Sequence, residues 1–400
     1  MTEFKRKILE KNRAMNHIEE NDYLLSLFKR SVLRIKDNDN QSGIVKGKSG
    51  LILVLLHYYS VHKEDKYLDI IQNYIDRLIE HWDNNFTFGY GITGLAWMLN
   101  IMKKLGLEYE NSDEWIVELD TLLILECRCM INKNNFDYFN GASGLLFYFL
   151  SKDDVTLETK KLILEFIQGL EKNQEKESSF YYKLKENNLE QLVLNLGVPH
   201  GITGIILILL SIKEKNIVNL NFDSLIHYFV TKLFENENIN NSEYYFAPTI
   251  RSDSNNYSRS VLAWCYGDLT SGYAIFKTGL LLNEEKYINI GLKILKDTTR
   301  RNDNHDEKLS LCHGYPSILC VYDELYRKTD DLVFYEAAKK WKVLIYDELI
   351  DAFARKNYKN KDIYSFCKNT SLFQGFPGLM LSILTNKDDK INEWKKCLLL

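Results

Sequence analysis

The chain has 400 residues, and its 51 lysines and arginines nearly balance 55 aspartates and glutamates, for a formal net charge of −4. This balance excludes the basic face that nucleic-acid-binding proteins carry and the polybasic patch that anionic membranes attract. Hydrophobic residues make up 45% of the chain, which is enough for a sizeable core. The sequence has only four prolines, which favours long uninterrupted helices.

The N-terminal residues are rich in charges of both signs and lack the continuous apolar stretch of a signal peptide. The longest apolar runs, such as Ile205–Leu210, are far shorter than the ~20 residues that a transmembrane helix needs. Seven cysteines, an odd number without the spacing of a disulfide framework, indicate reduced thiols. The sequence therefore predicts a soluble, cytoplasmic protein.

A short glycine motif followed by an apolar run occurs seven times along the chain. The first glycines of these motifs are Gly47, Gly91, Gly141, Gly201, Gly267, Gly314 and Gly375. Successive glycines lie 44 to 66 residues apart, which is room for two helices of about 12–15 residues with their turns. Because the last motif falls near the chain end, the repeat predicts one domain over residues 1–400.

The segments between the glycine motifs have the periodicity of amphipathic helices. Examples are Tyr67–His81 and Leu332–Leu349. The first of them places its apolar residues on one face and its charged residues on the other. The apolar face consists of Leu68, Ile71, Tyr74, Ile75 and Leu78. By contrast, the segments that follow the glycines are apolar nearly all round, which is typical of buried helices. Each repeat therefore predicts one outer and one inner helix.

Seven helical hairpins with buried inner members close most economically into a double-layered ring, so we predict an all-α fold, an (α/α)7 toroid. Glycine at each motif tolerates the tight turn into the inner helix and avoids Cβ clashes between neighbouring helix ends. Two long intervals, residues 150–200 and 210–265, have room for a small inserted subdomain, and Ser242–Ile250 reads as extended. In a toroid all motif loops face the same end, so the side chains beside the glycines are expected to meet at one mouth.

Five reactive residues stand beside the third to sixth motifs. They are Asp137, His200, Cys265, Cys312 and His313. Two cysteines and a histidine match a catalytic zinc site, which has three protein ligands and keeps a fourth position open. A structural zinc site closes with four ligands, usually from C-x-x-C or H-x-x-H pairs, and the sequence has neither spacing. We therefore predict one zinc ion bound by Cys265, Cys312 and His313.

The open zinc position suits a substrate thiol, because zinc lowers the thiol pKa enough to give thiolate at neutral pH. His200 is then the predicted proton shuttle, since an imidazole titrates near neutral pH. Asp137 would hold the tautomer of His200 or raise its basicity; the alternative for Asp137 is a helix N-cap. Cys127 and Cys129 are predicted to pack or lie exposed, and three further cysteines are predicted to pack: Cys320, Cys367 and Cys397. The histidines away from the motifs are predicted to lie at the surface or at edges: His57, His62, His81, His227 and His305.

The motif W-C-Y-G around Cys265, the C-H-G before the sixth glycine and the H-G-I-T-G at His200 resemble those of the lanthionine synthetase C-like family. The resemblance is strongest to its stand-alone class I lanthipeptide cyclases and covers essentially the whole chain through the seven motifs. It implies the (α/α)7 toroid, the same three zinc ligands, and catalytic roles for His200 and Asp137. It adds Trp264 and Tyr266 as residues that line the site.

The resemblance also implies the reaction, a stereocontrolled Michael addition of a peptide cysteine thiolate to dehydroalanine or dehydrobutyrine. The resulting enolate is protonated, with His200 as the leading candidate acid. The products are the lanthionine and methyllanthionine thioether rings of lantibiotics. The implied partners are a dehydrated precursor peptide, comprising leader and core, with its dehydratase and an ABC exporter. These partners would bring the protein to the periphery of a membrane biosynthetic complex.

The sequence departs from the family pattern in places. Thr270 and Ser317 replace a second glycine in the fifth and sixth motifs, and Pro316 precedes the latter. An arginine that these cyclases commonly have shortly before W-C-Y-G has no clear counterpart, and Arg259 is the nearest candidate. Three other functions stay open: a zinc enzyme that alkylates protein cysteines with a prenyl group, a family member that adds glutathione, and a helical scaffold. A scaffold has no use for a proton shuttle beside a thiol site, which favours an enzyme.

Overall fold

A computed structural model describes residues 41–82, 84–107, 109, 112–174, 180–186, 189–238, 244–251, 260–303, 305–355, 357–358, 361–384 and 389–400. In chain order its α-helices are α1 (Ser49–His62), α2 (Lys66–Glu80), α3 (Ile92–Lys104), α4 (Ser112–Asn132), α5 (Ala142–Ser151), α6 (Leu157–Gln174), α7 (Ile202–Lys215), α8 (Asp223–Glu235), α9 (Asp268–Leu282), α10 (Glu285–Thr299), α11 (Tyr315–Thr329), α12 (Leu332–Arg355), α13 (Ile363–Lys368) and α14 (Phe376–Ile383). None of these described helices is long and apolar enough to span a membrane.

The helices that follow the glycine motifs form a closed inner ring. In order, α1, α3, α5, α7, α9, α11 and α14 each contact the next, and α14 returns to contact α1. Their residues are buried nearly all round, whereas outer helices such as α2 bury one face, with Tyr67, Ile71, Ile75 and Leu78 inward. The outer helices pack on this ring, α2 on α1, α8 on α7, α10 on α9 and α12 on α11. The predicted (α/α)7 toroid is confirmed.

Most of the loops that lead into the inner helices share one hydrogen-bonded shape. In four of them, the hydroxyl at the third motif position donates to the carbonyl oxygen seven residues earlier, at 2.5 to 2.7 Å. The pairs are Ser49–Ser42, Thr93–Phe86, Ser143–Phe136 and Thr203–Leu196. In four loops an asparagine six residues before the first glycine accepts from the N–H two residues further on, which closes an Asx turn. These residues are Asn85, Asn135, Asn195 and Asn369. Equivalent loop positions therefore face the same way in different repeats.

The first glycine of a motif is needed for space more than for backbone freedom. A Cβ at Gly91 or Gly201 would lie 2.0 or 2.2 Å from the carbonyl oxygen of the asparagine six residues earlier. The φ angles there, −125° and −145°, are ordinary extended values. At the second glycine the clash also reaches the neighbouring repeat, because a Cβ at Gly144 would lie 2.7 Å from the Cβ of Phe88. Gly47 and Gly267 differ, since their φ values of +131° and +85° favour glycine whatever the space.

A small antiparallel sheet lies beside the fourth and fifth repeats. Its strands are β1 (Tyr181–Glu186), β2 (Leu189–Asn195) and β3 (Thr249–Arg251), in the order β1-β2-β3 with Leu194 opposite Ile250. It joins the two long intervals between motifs, and β2 leads directly into the loop of His200. A second pair, β4 (Asn357–Tyr358) and β5 (Lys361–Asp362), follows α12.

The C-terminal segment packs into the ring. A 3-10 helix over Asp389–Leu398 contacts α1 and α3. The hydroxyl of Tyr138 donates to the carbonyl oxygen of Cys397 at 2.9 Å. The indole N–H of Trp264 donates to the carbonyl oxygen of Leu398 at 2.8 Å. All four of these side chains are buried, so the last residues of the chain form part of the toroid core.

Candidate metal centre and proton-transfer pair

Cys265, Cys312 and His313 come together at the motif end of the ring. Their ligand atoms all lie within 4.8 Å of one another, and Sγ of Cys312 is 3.9 Å from Nε2 of His313. Both cysteines are buried, and His313 is partly exposed. A tetrahedral zinc ion holds such atoms roughly 3.5–4 Å apart, given its usual bond lengths. Within the described ranges this is the sole group of three such side chains close enough to share a metal ion.

The two thiols of this cluster interact directly. The hydrogen bond from Cys265 lowers the pKa of the Cys312 thiol to about 6. Burial raises the pKa of Cys265 well above its usual value. One readily formed thiolate, a second thiol and an imidazole make a soft donor set of the kind that zinc prefers. The residues present therefore fit a zinc ion.

Backbone hydrogen bonds from neighbouring repeats hold the two cysteines. The carbonyl oxygen of Cys265 accepts from the N–H of Val198 at 2.9 Å, which ties the fifth loop to the fourth. The N–H of Cys312 donates to the carbonyl oxygen of Phe373 at 2.9 Å, which ties the sixth loop to the seventh. The cluster is thus positioned by the closure of the ring itself.

Ser317 gives a physical reason for one departure from the glycine pattern. Its hydroxyl donates to the carbonyl oxygen of Gly314 at 2.9 Å and accepts from the backbone N–H of Trp264 at 3.2 Å. A glycine here would lack both contacts, so Ser317 links the loop of Cys312 to the loop of Cys265. Thr270, at the other departure, is wholly buried in α9, and nothing in the structure explains its hydroxyl.

His200 and Asp137 form a direct pair between the third and fourth repeats. Nδ1 of His200 lies 2.6 Å from Oδ2 of Asp137. The other carboxylate oxygen of Asp137 accepts from the N–H of Asn140 at 2.7 Å. Asp137 is therefore not a helix N-cap, since α5 begins after Gly141. Burial lowers the pKa of His200, but the hydrogen bond and charge of Asp137 outweigh it, so the pKa is raised overall.

The remaining predicted site residues differ in position. Tyr266 is partly exposed, with its ring centroid 5.7 Å from that of His313. Burial, together with the two cysteines, raises the pKa of Tyr266 to about 12, so it stays a neutral phenol. Trp264 is wholly buried and packs against Phe139 and Phe373. Its indole donates to the C-terminal segment, and its role as a residue that lines the site stays a prediction. Arg259 lies outside the described residues.

A buried ionic network behind the cluster escaped the sequence analysis. Arg301 pairs with Asp268 at 2.8 Å and with Asp303 at 2.7 Å, and it also donates to the carbonyl oxygen of Ser260. Asp303 in turn accepts from the N–H of Leu262 at 2.7 Å. Burial raises the pKa of Asp268 to about 6 despite these partners. The network therefore contacts the loop of Cys265 on both sides, at Ser260 and Leu262 before the cysteine and at Asp268 after it. The one sign of this network in the sequence is Asp268, the acidic residue directly after the first glycine of the fifth motif.

Two histidines that we predicted at the surface are buried, so that prediction is wrong for them. His57 is 4% exposed, and so is His305. The ring nitrogens of His305 lie 2.5 and 3.0 Å from the carbonyl oxygens of Leu262 and Asp303. His305 is therefore a packing residue of the loops behind the cluster. Glu307 was also missed; its carboxylate is 3.7 Å from Nδ1 of His313.

The fold and this site define a toroidal protein of the lanthionine synthetase type. The model of the lanthionine synthetase C-like protein family matches residues 38–399, and the chain belongs to that family. It is 23% identical over 386 residues to the nisin biosynthesis protein NisC of Lactococcus lactis subsp. lactis, over 88% of each chain. The solved structure of nisin cyclase has the same fold, with a TM-score of 0.76 at 18% identity over 95% of this chain and 97% of that one.

Proposed function

We propose that this protein is a zinc-dependent lanthipeptide cyclase. It adds cysteine thiols of a dehydrated precursor peptide to dehydroalanine and dehydrobutyrine residues of the same peptide, which closes lanthionine and methyllanthionine rings. The observation that carries the proposal is that a soft three-residue cluster and a histidine–aspartate pair share one mouth of the ring. Family membership and the similarity to NisC support the substrate class.

Cys265, Cys312 and His313 would hold the zinc ion, with a fourth position left for substrate. Bound there, zinc lowers the pKa of a substrate thiol so that its sulfur reacts as thiolate at neutral pH. The carboxylate of Glu307 lies 3.7 Å from Nδ1 of His313, and its negative charge would favour the ring orientation that turns Nε2 toward the cysteines.

His200 supplies the proton that completes the addition. The substrate sulfur bonds to Cβ of the dehydro residue, the carbon–carbon double bond opens, and its electron pair moves through Cα onto the carbonyl oxygen. Because Asp137 holds Nδ1 of His200, Nε2 is the atom that donates a proton to Cα. The thiol gives one proton to solvent, Cα gains one from His200, and solvent reprotonates His200, so the net change is addition of S–H across the double bond. A donor fixed on one side favours one configuration at Cα.

The test is to incubate the purified protein with a dehydrated precursor peptide, count free thiols and measure bound metal. Wild type is expected to hold about one zinc per chain and consume the thiols. Cys312→Ala should lose both properties, while Cys129→Ala, a half-exposed cysteine of α4, should keep them. A zinc-loaded wild type that consumes no peptide thiol, or consumes glutathione instead, would overturn the peptide cyclase. Protein without zinc after protection from chelators and oxidation would overturn the metal centre.

The same proposal has consequences for partners and location. A dehydratase must act on the peptide first, because the electrophile is a dehydrated serine or threonine. An ABC exporter would remove the finished product, so we propose that the protein works in the cytoplasm beside such a membrane complex. Co-purification of dehydratase and exporter with a tagged cyclase tests this, and its failure leaves the chemistry above unaffected.

A further inference from the structure

One residue stands immediately before the first glycine of each motif, and all seven are at least partly exposed although the residue before each is buried. We call these seven the rim residues. They are Lys46, Tyr90, Asn140, His200, Tyr266, His313 and Gln374. Three of them belong to the site already described. The loops of the other four belong to the first, second, third and seventh repeats and share the hydrogen bonds described above, so these four residues occupy equivalent places around the same mouth.

The order of the inner ring places the rim residues around the mouth in chain order. His200, Tyr266 and His313 come from the fourth to sixth repeats, so Tyr90 of the second repeat approaches the site from the opposite side. Its backbone is fixed on both flanks, since the N–H of Gly89 donates to Phe139 at 2.9 Å and the carbonyl of Gly89 accepts from Val45 at 2.7 Å.

Tyr90 lies within electrostatic reach of both halves of the site, Asp137 and Cys312. Burial raises the pKa of Tyr90, and the charges of Asp137 and Cys312 raise it further. The ring is partly covered, whereas Lys46, Asn140 and Gln374 are exposed. A neutral phenol at this place is a hydrogen-bond donor at the mouth that the zinc ligands and the proton donor share.

We propose that Tyr90 is a further catalytic residue, whose phenol O–H donates a hydrogen bond to the carbonyl oxygen of the dehydro residue. This inference rests on the proposed cyclase function. When sulfur bonds to Cβ, the electron pair of the double bond collects on that oxygen, and a fixed donor stabilises the developing charge. The proton of Tyr90 stays on its own oxygen throughout, and the charge is discharged when His200 protonates Cα.

The substitution Tyr90→Phe removes the hydroxyl and keeps the ring. A fully enclosed oxyanion donor contributes about 100- to 1000-fold to kcat, and for this partly exposed one we expect a loss of about 10- to 100-fold. KM should change by less than about twofold, because the hydrogen bond strengthens as charge develops. The matched control is Tyr335→Phe on outer helix α12, where the ring is 44% exposed. Zinc content and melting temperature should match wild type in both variants.

The outcomes separate this inference from the proposed function. If wild type cyclises the peptide and Tyr90→Phe has the same kcat, the inference is wrong and the cyclase stands. A rise in KM with kcat unchanged also overturns it, because the hydroxyl would then bind the ground state and the transition state equally. If zinc-loaded wild type consumes no thiol, the cyclase itself fails before Tyr90 is tested.

Discussion

Nδ1 of His200 lies 2.6 Å from Oδ2 of Asp137, and these two residues are 63 positions apart in the sequence. Neither motif contains the other residue, so the pair exists because the third and fourth loops of the ring meet. The carboxylate holds one tautomer of the imidazole and favours its protonated form. This relationship makes the pH profile the most direct test of His200 as an acid.

We expect Asp137→Asn to shift the pH profile of kcat. The carboxylate raises the pKa of His200, so its removal lowers that pKa. An acid must be protonated to act, and kcat falls as the pH rises through its pKa; in the variant this fall should occur at lower pH. Loss of orientation should also reduce the maximal kcat by about 10- to 100-fold. Asp330→Asn is the control, at an exposed left-handed position that asparagine tolerates. An unchanged profile would show that Asp137 does not tune the acid.

Replacing Glu307 by glutamine should weaken zinc binding. The carboxylate lies 3.7 Å from Nδ1 of His313, and such partners orient a ligand histidine and increase its basicity. We expect about a 10-fold lower zinc affinity, at the low end of the range for outer partners of metal ligands. Competition with a chromophoric chelator measures it. Glu118→Gln, at an exposed position of α4, should leave the affinity at the wild-type value, and an equal affinity in Glu307→Gln would count against this role.

Arg301→Met should destabilise the protein strongly. The guanidinium is paired with two buried carboxylates, Asp268 and Asp303, and the substitution leaves both without their cation. Breaking such a buried network costs about 3–5 kcal/mol, to be measured as a lower midpoint of urea unfolding at constant slope. The adjacent Arg300 is 82% exposed, so Arg300→Met should change the midpoint little. Similar midpoints for the two variants would mean that the network contributes no stability.

Tyr138→Phe should loosen the C-terminal segment. The lost hydroxyl leaves the buried carbonyl of Cys397 without the bond it accepts at 2.9 Å, at a cost of about 1–3 kcal/mol. Faster release of the last residues by carboxypeptidase would show that the effect lies at the chain end. Tyr335→Phe, whose ring is 44% exposed and lies 5.3 Å from that of Tyr326 on α11, should digest at the wild-type rate. If Tyr138→Phe also does, the hydrogen bond does not anchor the C-terminus.

Local patterns predicted much of the fold. The periodicity of residues 67–81 predicted a helix that buries one face. The helix α2, Lys66–Glu80, lies within one residue of that range at either end. The glycine motifs repeat because each loop leaves no room for a Cβ, and a steric demand of that kind is visible in sequence. The asparagines six residues before the glycines carry a similar signal that we did not use. Tyr90 could also have been found, since it occupies the same motif position as His200.

The sequence alone determined that seven equivalent loops exist and which reactive side chains stand beside them, because each loop follows from contacts between residues close in the chain. Tertiary structure decided the rest. Three features depend on partners that no sequence periodicity connects. They are the burial of Trp264 beside a C-terminal carbonyl, the pairing of Arg301 with Asp268, and the burial of His305. Such contacts form when the ring closes and distant segments share one interior, where an unpaired polar group is costly.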